Sequence, residues 1–295
     1  MAGFSRRDFL FGSAALAGAA AIGVGPSLAA PAGPIKASDV VTLGRSGVKT
    51  SILGLGTGTR GGSEQRAMGS DAFTKMVRGA LERGIRFIET AHSYNMHVDV
   101  QRALEGVPRD QYTLLTKTRA RMPELVEWDI NTFRHELNQG SGSGYFDMVL
   151  MHCMTAKNWP TDYRPVRDKL LEFKKKGLIR AVGVSCHGWD ALVASAMHEA
   201  CDDLDVHLVR VNPFGHKMDG KPEDVVKQIE RIKAKGRGVL GMKIYGENGL
   251  ESREQRVQSI KYALDNGVDA FTIGFSDIKQ IEETMQLVEE ASAGG

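Results

Sequence analysis

Several features are scarce in this sequence, and each scarcity removes a class of protein. Cysteine occurs three times in 295 residues, at Cys153, Cys186 and Cys201. An odd, widely spaced set allows one bridge but not a disulfide framework. Neither sign of charge is in excess: 38 Lys and Arg stand against 36 Asp and Glu, a net +2. Bulk electrostatics therefore gives no reason to expect a nucleic-acid partner or an acidic membrane face. After residue 25 no apolar run approaches the roughly 20 residues that a helix needs to cross a bilayer. Paired metal-ligand spacing is also missing. His198 and Cys201 stand at a helical i, i+3 interval, but no second pair answers them, so no metal site is expected.

The one long apolar run lies at the start. Ser5-Arg6-Arg7-Asp8-Phe9-Leu10 sets two arginines before a stretch, 9–25, made mostly of Ala and Gly. Pro26 breaks it, and Ser27-Leu28-Ala29 offers small residues to a peptidase. Residues 1–30 read as a twin-arginine signal. The expected partner is the twin-arginine export machinery, and the expected location is the periplasm. An uncleaved signal would leave a membrane anchor instead. Residues 31–40 read as a linker, 41–290 as one domain and 291–295 as a tail.

Within 41–290 one unit repeats. Strand-like apolar runs recur at 52–56, 86–90, 112–117, 146–151, 180–185, 207–212, 239–243 and 270–274, with helix-period sequence between them. Several intervening helices end alike, at Arg83-Gly84, Lys176-Gly177, Lys235-Gly236 and Asn266-Gly267. A glycine there takes the left-handed turn that closes a helix before the next strand. Strand then helix, eight times, implies parallel strands with right-handed crossovers. The expected fold class is α/β, a (β/α)8 TIM barrel. An open dinucleotide-binding sheet would show a G-x-G-x-x-G turn leading into a helix. Here Gly54-Leu55-Gly56-Thr57-Gly58 leads into a loop instead. Segments 41–44 and 48–51, around Arg45-Ser46-Gly47, read as a hairpin that closes the barrel bottom.

Chemistry in such a barrel belongs at the C-terminal strand ends. Those ends carry Glu89 and Tyr94, Lys117, His152, Ser185-Cys186-His187 and Lys243. A tyrosine is a poor acid at neutral pH. A lysine cation beside it favours the phenolate, and a carboxylate fixes the lysine. A neutral histidine can hydrogen-bond a carbonyl oxygen. Such a group is poised to protonate an oxygen as negative charge develops there. Two other uses stay open. A strand-end lysine such as Lys117 could form a Schiff base in a non-redox lyase. The fold could also serve a binding subunit without turnover. Trp159, Trp189 and Phe214 are candidate pocket lining.

Along nearly all of residues 40–290 the chain resembles the aldo/keto reductases. Gly84-Ile85-Arg86-Phe87-Ile88-Glu89-Thr90-Ala91-His92-Ser93-Tyr94 is similar to the family's strand-two motif. The resemblance implies Tyr94 as proton donor, Lys117 as its pKa-lowering partner, His152 as substrate-orienting residue and Glu89 as the carboxylate. Ile179-Arg180-Ala181-Val182-Gly183-Val184-Ser185 resembles the strand-five motif whose serine contacts nicotinamide. Thr272-Ile273-Gly274-Phe275-Ser276-Asp277, followed by Ile281-Glu282-Glu283, resembles the segment that holds the adenosine end. The implied cofactor is NADPH or NADH, held by Ser185, Cys186, Lys243, Gly246, Gly274, Ser276, Gln280 and Glu283. The implied activity is reduction of a small carbonyl substrate, by a chain expected to act as a monomer. Three positions depart from the pattern. Glu89 stands where the family usually has Asp, Cys186 where it has Asn, and Gln280 where it often has the Arg that grips a 2′-phosphate. The strand-six glutamine has no clear counterpart; Arg210 or Asn212 lies near that place.

Overall fold

The structure, a computed structural model, describes residues 33–139 and 144–293. Residues 1–30, read above as an export signal, lie outside them.

Two short strands come first, β1 (Val40–Thr42) and β2 (Lys49–Ser51), paired antiparallel. Then strands and helices alternate: β3 (Leu53–Gly56), α1 (Ser63–Ala67), α2 (Ser70–Glu82), β4 (Phe87–Glu89), α3 (His97–Leu104), β5 (Thr113–Thr118) and α4 (Pro123–Glu136). There follow β6 (Phe146–Met154), α5 (Trp159–Asp162), α6 (Arg164–Lys175), β7 (Ile179–Cys186) and α7 (Trp189–Met197). The chain closes with β8 (Val206–Arg210), α8 (Pro222–Ala234), β9 (Gly238–Met242), α9 (Arg253–Asp265), β10 (Ala270–Gly274) and α10 (Ile278–Ala293). Strands β3 to β10 form a closed barrel in which β10 pairs with β3, and the pairing is parallel throughout. The expected TIM barrel is the observed fold.

The glycines read as helix stops take that role. Gly84, Gly177, Gly236 and Gly267 all have φ between 71° and 87°, the left-handed region in which a Cβ is disfavoured. Helix α2 shows why such segments are helical: Phe73, Met76, Val77 and Ala80 fall on one buried stripe.

A period of two sorts the strand residues into two layers. Phe87, Leu115, Met148, Leu150, Ala181, Val206, Leu208, Leu240, Met242 and Ala270 fill the barrel interior. Their neighbours in sequence face the helices. The hairpin's Leu43 and Val48 belong to the same interior cluster, so the hairpin does close the bottom. Gly238 makes this possible, since a Cβ there would meet the Leu43 Cβ at 2.9 Å.

Most strand ends fall within a residue of the sequence expectation, and three depart from it in ways that shape the mouth. β6 runs on to Met154, with its register broken between Met151 and Met154. Cys153, at φ 62°, forms the irregularity, and its N–H donates to the Ser185 hydroxyl at 2.9 Å. A bulge of this kind re-aims a strand end. β8 stops at Arg210 and not at Asn212, because the Asn212 side chain braces the next loop, donating to the His216 and Lys243 carbonyls. β9 stops at Met242. Lys243 is left-handed, φ 58°, and begins the loop.

Candidate active site

The interior row continues upward by the same period of two. Above Phe87 comes Glu89, above Leu115 comes Lys117, above Leu150 comes His152, and above Leu208 comes Arg210. The top layer is polar at these places because each of these four strands spends its last inward position on a polar side chain. Gly56 and Gly274 leave bare backbone at two places in that layer.

Lys117 is 1% exposed. Its ammonium reaches the Glu89 carboxylate in a close ion pair, donates to the Thr90 carbonyl at 3.0 Å and lies 3.2 Å from the Tyr94 hydroxyl. Three partners occupy it. A Schiff base needs an accessible amine, so this burial and these contacts disfavour the lyase alternative. Tyr94 is brought in by a short 3-10 turn, His92–Tyr94, and Asn95 at φ 54° ends that turn. The backbone at Gly58 packs against the phenol ring, where a Cβ would lie 2.5 Å from it. His152 meets the Tyr94 ring edge-on, with centroids 5.6 Å apart, and its Nδ1 lies 3.4 Å from the Ser93 hydroxyl.

Burial governs the titration of this group. It pushes the Tyr94 phenol up to about 12 and holds the Lys117 ammonium well below the ordinary lysine range. Each shift has the same origin, since a low-dielectric site penalises the charged form. Burial, and not the neighbouring Lys117, sets the direction of the Tyr94 shift, which is opposite to the one expected from the sequence. His152 is driven down to about 2, by burial first and then by Lys117, His187, Arg119 and Arg121. It is neutral at any ordinary pH. The site thus holds a protonated phenol and a neutral imidazole side by side.

A cavity opens beside them. Its wall includes Gly56, Gly58, Thr59, Glu89, Tyr94, Lys117, His187 and Gly274, with Lys243, Tyr245, Glu247 and Asn248 from the loop after β9. The expected cofactor residues divide. Gly274 and Lys243 line the cavity, and Lys243 holds Glu247 at 2.6 Å. Ser185 faces inward but is wholly buried, and its hydroxyl is used by the Cys153 bulge. Cys186 is a correction. The strand period turns it toward the helices, where it packs with Ala191 and Leu192, and burial raises its thiol pKa. Gly246, at φ 58°, shapes the β9 loop. Ser276 and Gln280 engage each other, the Ser276 N–H donating to the Gln280 side chain at 2.8 Å. Glu283 faces Arg256 at 3.8 Å.

Trp159 is a second correction. It is fully buried and donates to the Ala191 carbonyl at 3.1 Å, so it lines no mouth. His187 is the residue that the sequence reading placed at a strand end without giving it a role. It follows Ser185 and Cys186, lines the cavity, and meets His152 with ring centroids 6.0 Å apart. Its position past the end of β7 was the only available signal.

A closed parallel barrel with Tyr, Lys, Glu and His at its mouth defines a class, and comparison with known proteins agrees. Residues 52–259 match the model of the aldo/keto reductase family. The chain belongs to that family. Among characterised relatives it is 28% identical to the aldo-keto reductase YhdN of Bacillus subtilis over 168 residues, 50% of this chain and 46% of that protein. It is 28% identical to an aldo-keto reductase of Mycobacterium avium, covering 56% of this chain and 54% of that one. The methylglyoxal reductase DkgB of Salmonella typhimurium is 26% identical, covering 49% and 54%. The chain thus spans about half the length of the curated relatives it matches. Among solved structures, an aldo-keto reductase of Pseudomonas aeruginosa superposes with a TM-score of 0.72 at 19% identity, covering 88% of this chain and 98% of the other. The holo form of an aldo-keto reductase from Bacillus halodurans gives 0.67 at 19% identity, covering 85% and 90%. At that identity the structural likeness speaks for the fold.

Proposed function

We propose that this protein is an oxidoreductase that reduces an aldehyde or ketone to an alcohol, with Tyr94 as proton donor and NADPH or NADH as cofactor. The observation that carries this reading is the contact chain Glu89–Lys117–Tyr94 at the cavity wall. When bound, the nicotinamide supplies a hydride to the carbonyl carbon and is itself oxidised. The chain does the rest. Tyr94 keeps its proton at neutral pH and gives it to the carbonyl oxygen as negative charge develops there. Lys117, beside the hydroxyl, stabilises the phenolate that remains. Glu89 holds Lys117 in place, and neutral His152 orients the carbonyl.

The wall suits the cofactor. Gly56, Gly58 and Gly274 line the cavity with backbone alone, so at these positions no side chain projects into the space a cofactor would need. Lys243 and Asn248 offer donors on the β9 side, where such barrels hold nucleotide phosphate. Arg256, opposite Glu283, is a cation for the adenosine end.

The test uses mature protein recovered from the periplasmic fraction, and its recovery there checks the export reading. Denatured, it should release a stoichiometric amount of nicotinamide nucleotide, since a compartment poor in free cofactor favours one held with a slow off-rate. Tyr94→Phe keeps the ring and removes the acid. It should lose carbonyl reduction by roughly two to four orders of magnitude while still binding nucleotide. A Phe variant as fast as the parent would remove Tyr94 from the reaction. A protein that neither carries nor binds nucleotide would overturn the reductase reading.

A further inference from the structure

Two imidazoles, not one, stand at this mouth, and the second is locked into one protonation state by geometry. His187 Nδ1 lies 2.7 Å from an Arg210 guanidinium nitrogen. A guanidinium can only donate, so Nδ1 must accept. The ring proton is thereby fixed on Nε2. Arg210 is in turn held by Asp219 at 3.0 Å. Nε2–H has no hydrogen-bond partner among the described residues, and His187 lines the cavity.

Positive charge surrounds that donor. Burial first, and then Arg210, Lys117, Lys243 and Arg119, push the His187 pKa down to about 3 and keep the ring neutral. Three of these cations already face a carboxylate: Glu89, Asp219 and Glu247. Arg119 faces none among the described residues, nor does its neighbour Arg121. Arg121 donates to the His152 carbonyl at 3.0 Å, which ties this two-arginine loop to the His152 strand end. Arg119 is exposed, beside His92 and Ser93 and outside the cavity wall, and its charge reaches Tyr94, His152 and His187 as a smaller contribution than burial. A neutral donor near an uncompensated positive charge suits an anion better than a neutral molecule.

We infer that His187 binds a carboxylate next to the reacting carbonyl, so that the substrate class is the 2-oxo acids. This rests on the reductase reading above and narrows it. His152 takes the carbonyl oxygen, the His187 Nε2–H takes a carboxylate oxygen, and Arg119 supplies the field. The reaction then converts a 2-oxo acid to a 2-hydroxy acid: the hydride from the nicotinamide adds to carbon, the Tyr94 proton adds to oxygen, and the nicotinamide leaves oxidised.

The probe is oxamate, a 2-oxo acid analogue that is not reduced, against oxamide, its neutral counterpart of the same size. Calorimetric titration with and without NADPH should show oxamate preferred by about tenfold or more. His187→Phe should weaken oxamate by roughly 10- to 100-fold, the usual worth of a hydrogen bond to a charged group. His187→Gln, which restores a donor, should recover part of the loss. Nitrogen NMR of the parent should place the His187 proton on Nε2. Equal affinity for oxamate and oxamide, no oxamate binding in either condition, unchanged binding in His187→Phe, or a proton on Nδ1 would each overturn the assignment. Pyruvate reduction is read separately. Oxamate binding without pyruvate reduction upholds the anion site and overturns the reductase reading.

Discussion

The two ends of the barrel are built from the same strands and have opposite chemistry. At the bottom, Leu43 and Val48 of the hairpin meet Val206, Leu240 and Ala270 in a dry apolar plug. At the top, the next inward positions are Glu89, Lys117, His152 and Arg210. One step of two residues along β5, from Leu115 to Lys117, crosses from one regime to the other. The bottom gains stability from area removed from water. The top gives stability up, since buried charges tolerate their setting only in pairs. The mouth is arranged for reaction and the base for holding the strands in register.

The sharpest way to break the comparison is to unpair the top. Glu89→Gln keeps shape and removes the charge opposite Lys117. Removing one partner of a buried pair costs about 3–5 kcal/mol, so the urea midpoint should fall strongly. Activity should fall with it, because an unpaired Lys117 gives up its proton and no longer supports the Tyr94 phenolate. Glu89→Asp keeps the charge and should be much milder on both counts. Equal damage from Gln and Asp would show that reach, and not charge, is what Lys117 needs.

The complementary break is at the bottom. Leu43 is fully buried in the plug. Leu43→Ala should cost about 2–5 kcal/mol through lost burial and the cavity left behind. The turnover of the molecules that remain folded should match the parent, since no reacting group is touched. Unfolding measured beside active-site titration separates the two quantities. A large change in turnover per folded molecule would mean that the plug sets the mouth's geometry as well as the barrel's stability.

How much of this was legible beforehand follows from the range of the forces involved. Eight strands and the helix-ending glycines are local signals, carried by periods of two and 3.6 and by left-handed φ. Glu89, Lys117 and His152 were legible because each stands at a strand end, on the inward phase. The Cys153 bulge was not, since it depends on Ser185 in the next strand. The left-handed turn at Lys243 was hidden because lysine does not announce positive φ. The role of His187 was hidden for a third reason. What matters there is its contact with Arg210, 23 residues on, and no pattern within one segment encodes a contact between two strand ends. The Tyr94 shift also escaped, because the depth of burial is a property of the whole barrel, and burial outweighs the neighbouring charge.

A finer test concerns the layer between the barrel and its helices, where His207 sits. It is the outward neighbour of Val206, fully buried, with Nδ1 at 2.7 Å from the Ser195 hydroxyl on α7 and Nε2 unpartnered among the described residues. Burial drives its pKa down to about 3. His97 is likewise lowered, to about 4. An unfolded histidine takes up a proton near pH 6.5, whereas folded His207 takes none until about pH 3. Between those values the unfolded state binds the extra proton. The contribution of His207 to stability is therefore fully present above the unfolded value and is lost as pH falls toward the folded one. The slope is about 1.4 kcal/mol per pH unit for one such group. His207→Gln keeps a polar side chain for Ser195 and removes the titration. Urea unfolding from neutral pH down to about pH 5 should therefore show the variant losing stability more gently than the parent, by the equivalent of one proton. Parallel pH profiles for the two proteins would show that His207 titrates in the folded barrel as it does in water, and that the layer around it is wetter than its burial implies.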